Sequence, residues 1–237
     1  MKLYTTGDLH LSQTSEKPMD VFGDGWKDHT GKIIENWNLT VKDGDVVVIC
    51  GDISWGIKLG DCLEDFKLLD LLPGKKILLK GNHDYFWSTH KSMLDFFEAN
   101  ELKSFSILHN NFFAFENVAI CGTKGWFFGS QDSKESDEKI RAREFSRLHM
   151  SLEKAHKSGY EQKYVFLHYP PVFDRQEVAE FIELMREYGV KKCFYAHLHG
   201  SYAHYHSING TYKDIDMQLV SADFLDFWPY EVEMPGV

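Results

Sequence analysis

Residues 80–84 read Lys-Gly-Asn-His-Asp and directly follow the apolar run Ile77-Leu78-Leu79. An apolar run that ends in Gly-Asn predicts a buried strand that breaks into a tight loop. Open α/β sheets bind their ligands at such strand ends. Asn82 brings an amide oxygen, His83 an imidazole and Asp84 a carboxylate. The stretch therefore predicts a site, although taken alone a turn followed by two surface polar residues would explain it equally well.

Composition places the chain among ordinary globular proteins. It has 237 residues, of which 43% are hydrophobic, and its formal net charge is -10. A chain of this length fits one well-packed α/β domain, so we expect a single domain over residues 1–237. The acidic balance argues against a broad nucleic-acid surface, since phosphate backbones require clustered Lys and Arg. A small phosphate-bearing substrate stays compatible with it, because bound divalent cations reverse the local potential.

The chain carries no pattern that predicts secretion or membrane insertion. Its first eight residues contain no apolar stretch and already include Asp8, and no span approaches the roughly 20 apolar residues of a membrane crossing. We therefore expect a cytoplasmic protein. The cysteines Cys50, Cys62, Cys121 and Cys193 lack CxxC spacing and are predicted to be small buried hydrophobic residues.

The N-terminal half predicts three repeats of strand, polar loop and helix, which is typical of a parallel α/β sheet. A long loop over residues 11–28 follows the first strand. The predicted strands are Leu3 to Thr6, Val46 to Cys50 and Ile77 to Leu79, and the predicted helices carry Ile33, Ile34, Trp37 and Leu39, then Leu63, Phe66, Leu69 and Leu72, then Met93, Leu94, Phe96 and Phe97.

The pattern then changes to shorter elements. We predict a meander of three strands between Ser106 and Cys121, an acidic exposed loop over residues 129–138, and a helix over residues 136–156. A strand from Tyr164 to Leu167, a helix over residues 176–188 and a strand from Lys192 to Ala196 follow. We then predict a hairpin of 202–208 with 212–215 around Asn209-Gly210, and two strands, 218–221 and 227–233, that complete a second sheet.

Metal-type ligands follow five of the predicted strands. Parallel strand ends lie side by side along one edge of a sheet, so we expect these side chains to converge although they span nearly the whole chain. Any one histidine is more often a core or surface residue than a ligand, but their shared position is not expected by chance. The strand ends carry Asp8 and His10, Asp52, Asn82 and His83, His168, and His197 and His199.

The number of ligands predicts two ions. Without His83 the set has two Asp, one Asn and four His, too many for one tetrahedral ion. Asp52, on the middle strand, is the natural bridge because a carboxylate has two oxygens. Alternation along an extended chain would place Asp8 and His10 on one side, where both can bind one ion. The mixture of N and O ligands without a thiolate favours Mn, Fe, Zn or Co.

With these residues the chain resembles the calcineurin-like metallophosphoesterases, whose motifs are DxH, GD, GNH[DE], a lone H and [GA]HxH. They occur here in the family's order over residues 8–199, with Ala196 in place of the more usual Gly. The resemblance implies an α/β fold of the four-layered α-β-β-α sandwich type with two mixed sheets. It also implies that the first ion is held by Asp8, His10, Asp52 and His199, and the second by Asp52, Asn82, His168 and His197.

The resemblance further implies hydrolysis of a phosphoester by attack of a metal-bridging hydroxide, with His83 as the general acid. Asp84 is expected either to orient that imidazole or to cap the loop backbone. The expected substrate is a small phosphomonoester or phosphodiester, such as a nucleotide. Candidate contacts to it are Trp55, Lys80, Tyr85, Lys124, Trp126 and Arg143, with His204 and His206 as weaker candidates on one face of the predicted hairpin.

Two other enzyme classes of the superfamily fit less well. The Ser/Thr protein phosphatases extend the second motif to GDxVDRG, but this chain reads Gly-Asp-Ile-Ser-Trp-Gly over residues 51–56. The lipid A precursor hydrolases share the DLHL stretch, but their third motif resembles GNRD, whereas this chain has GNHD. The alternative that is not an enzyme is a non-catalytic metal-binding scaffold for protein interactions. The intact ligand set favours the enzyme.

Overall fold

A computed structural model describes residues 1–14, 17–127 and 134–235, and the side chains of residues 134–136 lie outside this description. The bounds of its helices and strands are as follows. The strands are β1 (Leu3–Thr6), β2 (Val46–Ile49), β3 (Lys75–Leu78), β4 (Phe105–Ile107), β5 (Phe112–Phe115), β6 (Val118–Thr123), β7 (Gln162–Leu167), β8 (Val172–Phe173), β9 (Gln176–Glu177), β10 (Lys192–Tyr195), β11 (Gly210–Tyr212), β12 (Ile215–Leu219) and β13 (Tyr230–Glu231). The α-helices are α1 (His29–Thr40), α2 (Leu63–Leu71), α3 (His90–Ala99), α4 (Lys134–Lys157), α5 (Ala179–Glu187) and α6 (Gly200–His206).

The chain divides into two compact units. The first unit comprises Met1–Ile107 together with Val220–Val237, and the second comprises Leu108–Leu219. The second unit is thus inserted in sequence between two segments of the first. The assignment of residues 1–237 to a single domain stays a prediction.

The first unit is built on a five-stranded sheet with the order β13-β1-β2-β3-β4. Strands β1 to β4 are parallel to their neighbours, and β13 pairs with β1 in the antiparallel sense. Val48 stands between Thr5 on β1 and Ile77 on β3 in this register. The carboxyl ends of β1, β2 and β3 therefore lie side by side, as the three strand-loop-helix repeats predict.

The second unit is built on a six-stranded sheet with the order β11-β12-β10-β7-β6-β5. Its four inner strands are parallel, and β5 and β11 are antiparallel edge strands. Both sheets are mixed, so the predicted fold class of an α/β protein with two mixed sheets is confirmed.

Burial explains why these segments are strands and helices. Val47, Val48 and Ile49 are inaccessible to solvent, as expected for a β-branched strand covered on both faces. On α2, Phe66 is fully buried and packs edge-on against Phe97 and Phe105 at ring-centre distances of 5.2 and 5.4 Å. Such aromatic pairs add to the stabilisation from apolar burial.

Two predictions of sheet membership are wrong. We predicted a meander of three strands from Ser106 to Cys121, but β4 pairs in parallel with β3 in the first sheet, and only β5 and β6 form a hairpin in the second. The last strand, β13, was expected in the second sheet and instead pairs with β1. The local sequence pattern predicts that a short strand exists, but tertiary packing determines the strand with which it pairs.

The predicted hairpin around Asn209-Gly210 is also wrong in position. Residues 200–206 form α6, so His204 and His206 lie on a helix, and the hairpin consists of β11 and β12 with its turn at Lys213-Asp214. Both turn residues have left-handed φ values, 46° and 67°, as the favoured two-residue hairpin turn requires. The predicted helix over residues 176–188 begins three residues later, since Gln176 and Glu177 form β9.

Within the predicted loop 11–28, residues 19–22 and 24–26 form short 3-10 helices. Residues 129–133 of the predicted loop 129–138 lie outside the described residues, and residues 134–138 belong to α4. The four cysteines are buried, as predicted. Among the residues that the structure describes, no helix combines the length and the apolar character needed to cross a membrane.

The packing of α2 gives a test of the fold. Phe66→Ala should lower the free energy of unfolding by about 3–5 kcal/mol, because the surrounding rings cannot fully collapse into the cavity. Leu71→Ala on the same helix should change it by less than about 0.5 kcal/mol, since that side chain is 87% exposed. Urea denaturation followed by circular dichroism measures both. Equal losses for the two variants would contradict the assignment of the buried face.

Candidate metal centre

The segment after β1 carries the first two predicted ligands in an unusual backbone conformation. Asp8 and His10 have φ values of 58° and 46°, in the left-handed region, and both side chains are buried. A carboxylate oxygen of Asp8 and a ring nitrogen of His10 lie within 4.8 Å of each other. The two residues can therefore reach a common ion, but they do so through left-handed turns. The predicted alternation of an extended strand is wrong here.

Backbone hydrogen bonds tie this segment to the loop after β2. The amides of Asp8, His10 and Leu11 donate to the carbonyl oxygens of Gly51, Asp52 and Ile53 at 2.9, 2.9 and 3.0 Å. The pairing thus continues beyond the regular strands and fixes the DxH segment beside the GD segment.

Asp52 occupies the centre of this edge. It also has a left-handed backbone, with φ of 52°, and its side chain is 1% exposed. Its Oδ1 accepts the backbone N–H of His83 at 2.7 Å, and its Oδ2 lies 3.8 Å from Nε2 of His10. The carboxylate therefore contacts both the first and the third motif, and its role as a bridge between two ions stays a prediction.

The loop after β3 is packed directly onto Asp52. A Cβ atom at Gly81 would lie 2.0 Å from Oδ1 and 2.2 Å from the backbone nitrogen of Asp52. Only glycine permits this approach. The next residue, Asn82, is half-buried at the same strand end.

The Asp84 side chain accepts hydrogen bonds from backbone amides of the two loops. Its carboxylate is fully buried and accepts the N–H groups of Ile53 at 2.7 Å, Gly81 at 2.7 Å and Asp52 at 3.0 Å. Burial raises the pKa of this carboxyl to about 6, while the amide hydrogen bonds act in the opposite direction. Of the two roles left open for Asp84, these contacts are those of backbone capping. Its assignment as a catalytic residue stays a prediction.

Aromatic rings surround the imidazoles of this unit. Trp55 stacks on His10 with ring centres 4.9 Å apart and 22° between the planes, and it lies 4.7 Å from His83. Trp26 approaches His10 edge-on at 5.9 Å. These rings restrict the orientation of the His10 imidazole.

The second unit places the three histidines predicted as ligands at the ends of two adjacent strands. His168 follows β7, and His197 and His199 follow β10, which pairs with β7 in parallel. The amide of Ala196 donates to the carbonyl of His168 at 3.0 Å, and ring nitrogens of His168 and His197 lie within 4.8 Å of each other. His197 is left-handed, with φ of 75°.

Tyr169 and Phe127 pack against His197, at ring-centre distances of 4.6 and 5.2 Å. The ammonium of Lys124 lies 5.4 Å from the ring centre of Tyr169, whose amide donates to the Lys124 carbonyl. This unit thus also holds a predicted ligand between aromatic rings, with a lysine beside them.

Left-handed backbones recur among the predicted ligands. Asp8, His10, Asp52 and His197 all adopt this conformation, which costs a residue other than glycine about 1–3 kcal/mol. Such residues cluster at functional sites, where surrounding structure holds them in place. Sequence reasoning located these residues correctly at strand ends but could not give their backbone conformation.

The predicted convergence along one sheet edge requires a correction. Three of the five strands, β1, β2 and β3, belong to the first sheet, and β7 and β10 belong to the second. Each sheet gathers its own ligands at the carboxyl ends of neighbouring parallel strands. That the two sets join in one centre stays a prediction.

Several candidate substrate contacts have polar partners within the protein, and their role in substrate binding stays a prediction. Trp126 is buried, and its indole N–H donates to Asp137 at 2.7 Å. Arg143 lies 3.5 Å from Glu144, and His206 lies 3.3 Å from Asp174.

Sequence reasoning missed His29 and Trp26. Nε2 of His29 lies 3.2 Å from the His10 carbonyl oxygen, and burial lowers the pKa of this imidazole. A neutral His29 can donate that hydrogen bond. The signal available in the sequence was weak, because both residues follow a long polar stretch with no motif.

An α/β protein whose neighbouring parallel strands end in Asp, Asn and His side chains is a candidate metalloprotein. The sequence model of the family described as calcineurin-like phosphoesterase matches residues 1–201. The match covers well over half of the chain, and the chain belongs to this family. The family consists of metal-dependent phosphoesterases and typically binds two metal ions.

Two curated relatives match part of the chain. The uncharacterized protein MJ1445 of Methanocaldococcus jannaschii is 33% identical over 114 residues, which cover 46% of this chain and 58% of that protein. The Gene 66 protein of Mycobacterium phage L5 is 32% identical over 79 residues, which cover 33% of this chain and 38% of that protein. The chain thus spans less than two thirds of the length of either relative.

Solved structures share the fold over most of the chain. The phosphopantetheinyl hydrolase of Mycobacterium tuberculosis has a TM-score of 0.63 at 13% identity and covers 99% of this chain and 98% of its own. The protein TT1561 of Thermus thermophilus has a TM-score of 0.51 at 13% identity, covering 84% of this chain and 82% of its own. At such identities the likeness concerns the fold alone.

The contact between Gly81 and Asp52 gives a test of the site geometry. Gly81→Ala should displace the Asp52 carboxylate and lower the free energy of unfolding by about 1–3 kcal/mol, as overpacking does in a dense interior. Gly44→Ala is the control, since a Cβ there meets no atom within 4 Å. Denaturant titration compares the two. A Gly81→Ala variant as stable as the control would contradict this packing.

Proposed function

We propose that this protein hydrolyses a small phosphomonoester or phosphodiester, with two metal ions that share Asp52. The observation that carries the proposal is the environment of the Asp52 carboxylate. It is buried, one oxygen accepts the His83 amide, and the other lies 3.8 Å from a ring nitrogen of His10. A buried carboxylate between two loops that bring further ligands is suited to bind cations.

The donor chemistry fits transition-metal ions. Buried carboxylates, an amide oxygen and imidazoles, without a thiolate, suit Mn, Fe or Zn, and which of these is native stays open. We assign Asp8, His10, Asp52 and His199 to one ion and Asp52, Asn82, His168 and His197 to the other, as the family resemblance implies. When bound, such ions lower the pKa of a water ligand and neutralise phosphoryl oxygens.

His83 is the proposed proton donor to the departing oxygen. It is half-buried and follows Asn82 in the loop after β3. Its amide is bound to Asp52, so the position of its backbone is coupled to the proposed bridge. We assign the transferred proton to Nε2, because Nδ1 lies 3.3 Å from the hydroxyl of Tyr85.

The acidic net charge supports a small substrate rather than a nucleic-acid surface. We propose no membrane partner and a cytoplasmic setting. The non-catalytic scaffold is the competing function, and the two differ in one measurable property, turnover.

Turnover is tested with bis-p-nitrophenyl phosphate and p-nitrophenyl phosphate in Mn²⁺, with a chelator control. We expect metal-dependent release of p-nitrophenolate, and the ratio of the two rates assigns the protein as a diesterase or a monoesterase. Tight Mn²⁺ binding without hydrolysis of either compound would favour the scaffold.

The bridging role of Asp52 is tested by Asp52→Asn. The substitution removes the shared charge, so we expect loss of at least one ion and nearly all hydrolysis, with a folded protein by circular dichroism. Elemental analysis of the Mn²⁺-loaded protein measures the ions, with Asp43→Asn as the control on an exposed carboxylate. Two ions retained at full occupancy would rule out the bridge.

The role of His83 is tested by His83→Ala. We expect both ions to stay bound while kcat falls by about 100- to 10,000-fold for an alkyl phosphoester, as loss of a general acid predicts. The fall should be smaller for p-nitrophenyl esters, whose leaving group needs little protonation. His90→Ala, on an exposed histidine of the same unit, is the control. Equal losses for good and poor leaving groups would assign His83 to phosphate binding instead.

A further inference from the structure

The side chain that contacts Nδ1 of His83 is an exposed tyrosine. The hydroxyl of Tyr85 lies 3.3 Å from Nδ1, and the two rings meet edge-on with centres 6.0 Å apart. Tyr85 is 59% exposed, so burial of its own ring contributes little to its position.

A carboxylate commonly orients a functional histidine through its second nitrogen. The nearest candidate in sequence, Asp84, does not do so. Its Oδ2 accepts the amides of Asp52 and Gly81, and its Oδ1 accepts the amide of Ile53. Tyr85 makes the contact that Asp84 does not.

The backbone of Tyr85 is fixed on both sides. Asp84 before it is fully buried, and Phe86 after it is 3% exposed and packs edge-on against Phe66 at 5.5 Å. The amide of Tyr85 also donates to the carbonyl of His83 at 2.8 Å, which closes a tight turn. Two buried neighbours and this turn direct the phenol outward and back toward the imidazole.

Besides His10, at a ring-centre distance of 5.7 Å, Trp55 also lies beside the His83 ring. Its ring centre lies 4.7 Å from that of His83, while Tyr85 contacts the ring at Nδ1. The imidazole is thus restricted by an aromatic neighbour and by a hydrogen-bonding hydroxyl. Such support from outer residues is what holds a reactive group in its productive geometry.

We propose that Tyr85 is a positioning residue that orients His83 for proton transfer, a role that rests on the proposed phosphoesterase function. A phenol can both donate and accept a hydrogen bond. It can donate O–H to Nδ1 or accept N–H from Nδ1, according to the tautomer of the imidazole. The contact therefore restricts rotation of the His83 ring.

Tyr85→Phe tests this role, because it keeps the ring and removes only the hydroxyl. We expect kcat to fall about 3- to 10-fold for an alkyl phosphoester, the effect of one lost hydrogen bond. KM and Mn²⁺ content should stay unchanged, and the loss should be smaller for the p-nitrophenyl ester. Tyr160→Phe is the matched control, since that half-buried ring packs against Phe112 in the other unit.

A second readout does not depend on turnover. In ¹⁵N-labelled, Zn²⁺-loaded protein, the Nδ1 resonance of His83, assigned by its loss in His83→Asn, should shift in Tyr85→Phe and stay in place in Tyr160→Phe. An unshifted resonance would overturn the proposal. So would a raised KM at constant kcat, which would make Tyr85 a substrate contact, or equal losses for both leaving groups.

The two readouts also separate this proposal from the proposed function. A wild-type protein that hydrolyses neither ester fails as a phosphoesterase, and the role of Tyr85 in proton transfer falls with it. If the wild type hydrolyses an ester and the Nδ1 resonance does not shift, the proposed function stands. Only the positioning role of Tyr85 is then overturned.

Discussion

The candidate site of the first unit depends on one buried carboxylate that binds backbone amides. Asp84 collects three backbone N–H groups from two loops, that of Gly81 in its own loop and those of Asp52 and Ile53 in the loop after β2. Each of these donors would cost about 1–3 kcal/mol if buried without an acceptor. The aspartate therefore joins the second and third motifs into one structural element, and the Asp52 carboxylate is placed by that junction.

The stability of the first sheet offsets the unfavourable backbone conformations of the site residues. Left-handed backbones at Asp8, His10 and Asp52 are each unfavourable, yet they lie immediately beyond strands whose side chains are inaccessible to solvent. Hydrogen bonds between the two loops extend the parallel ladder up to Leu11 and hold these conformations. Rigid strands followed by strained, cross-bonded loops are what a preorganised cation site requires.

Sequence reasoning succeeded where the signal is local and periodic. Val46–Ile49 is a continuous β-branched run, and α2 repeats apolar residues at helical spacing, so both elements lie where predicted. It failed for elements whose place in the fold depends on the strands with which they pair. Nothing in the sequence of β4 or β13 indicates which sheet completes their hydrogen bonds. Residues 202–208 were predicted as an alternating strand, yet residues 200–206 form α6. The ligand positions were predictable from motifs, whereas the capping role of Asp84 depends on amides about thirty residues away in sequence.

The discontinuity of the first unit has a consequence for synthesis on the ribosome. Gly7 exchanges backbone hydrogen bonds with Val220 and Ala222, and the amide of Val232 donates to Leu3. Until those residues leave the exit tunnel, one side of β1 is an open strand edge, and the whole of residues 108–219 must be translated first. An open edge pairs readily with other chains. A nascent chain that stops before residue 220 therefore exposes an unpaired strand edge on β1.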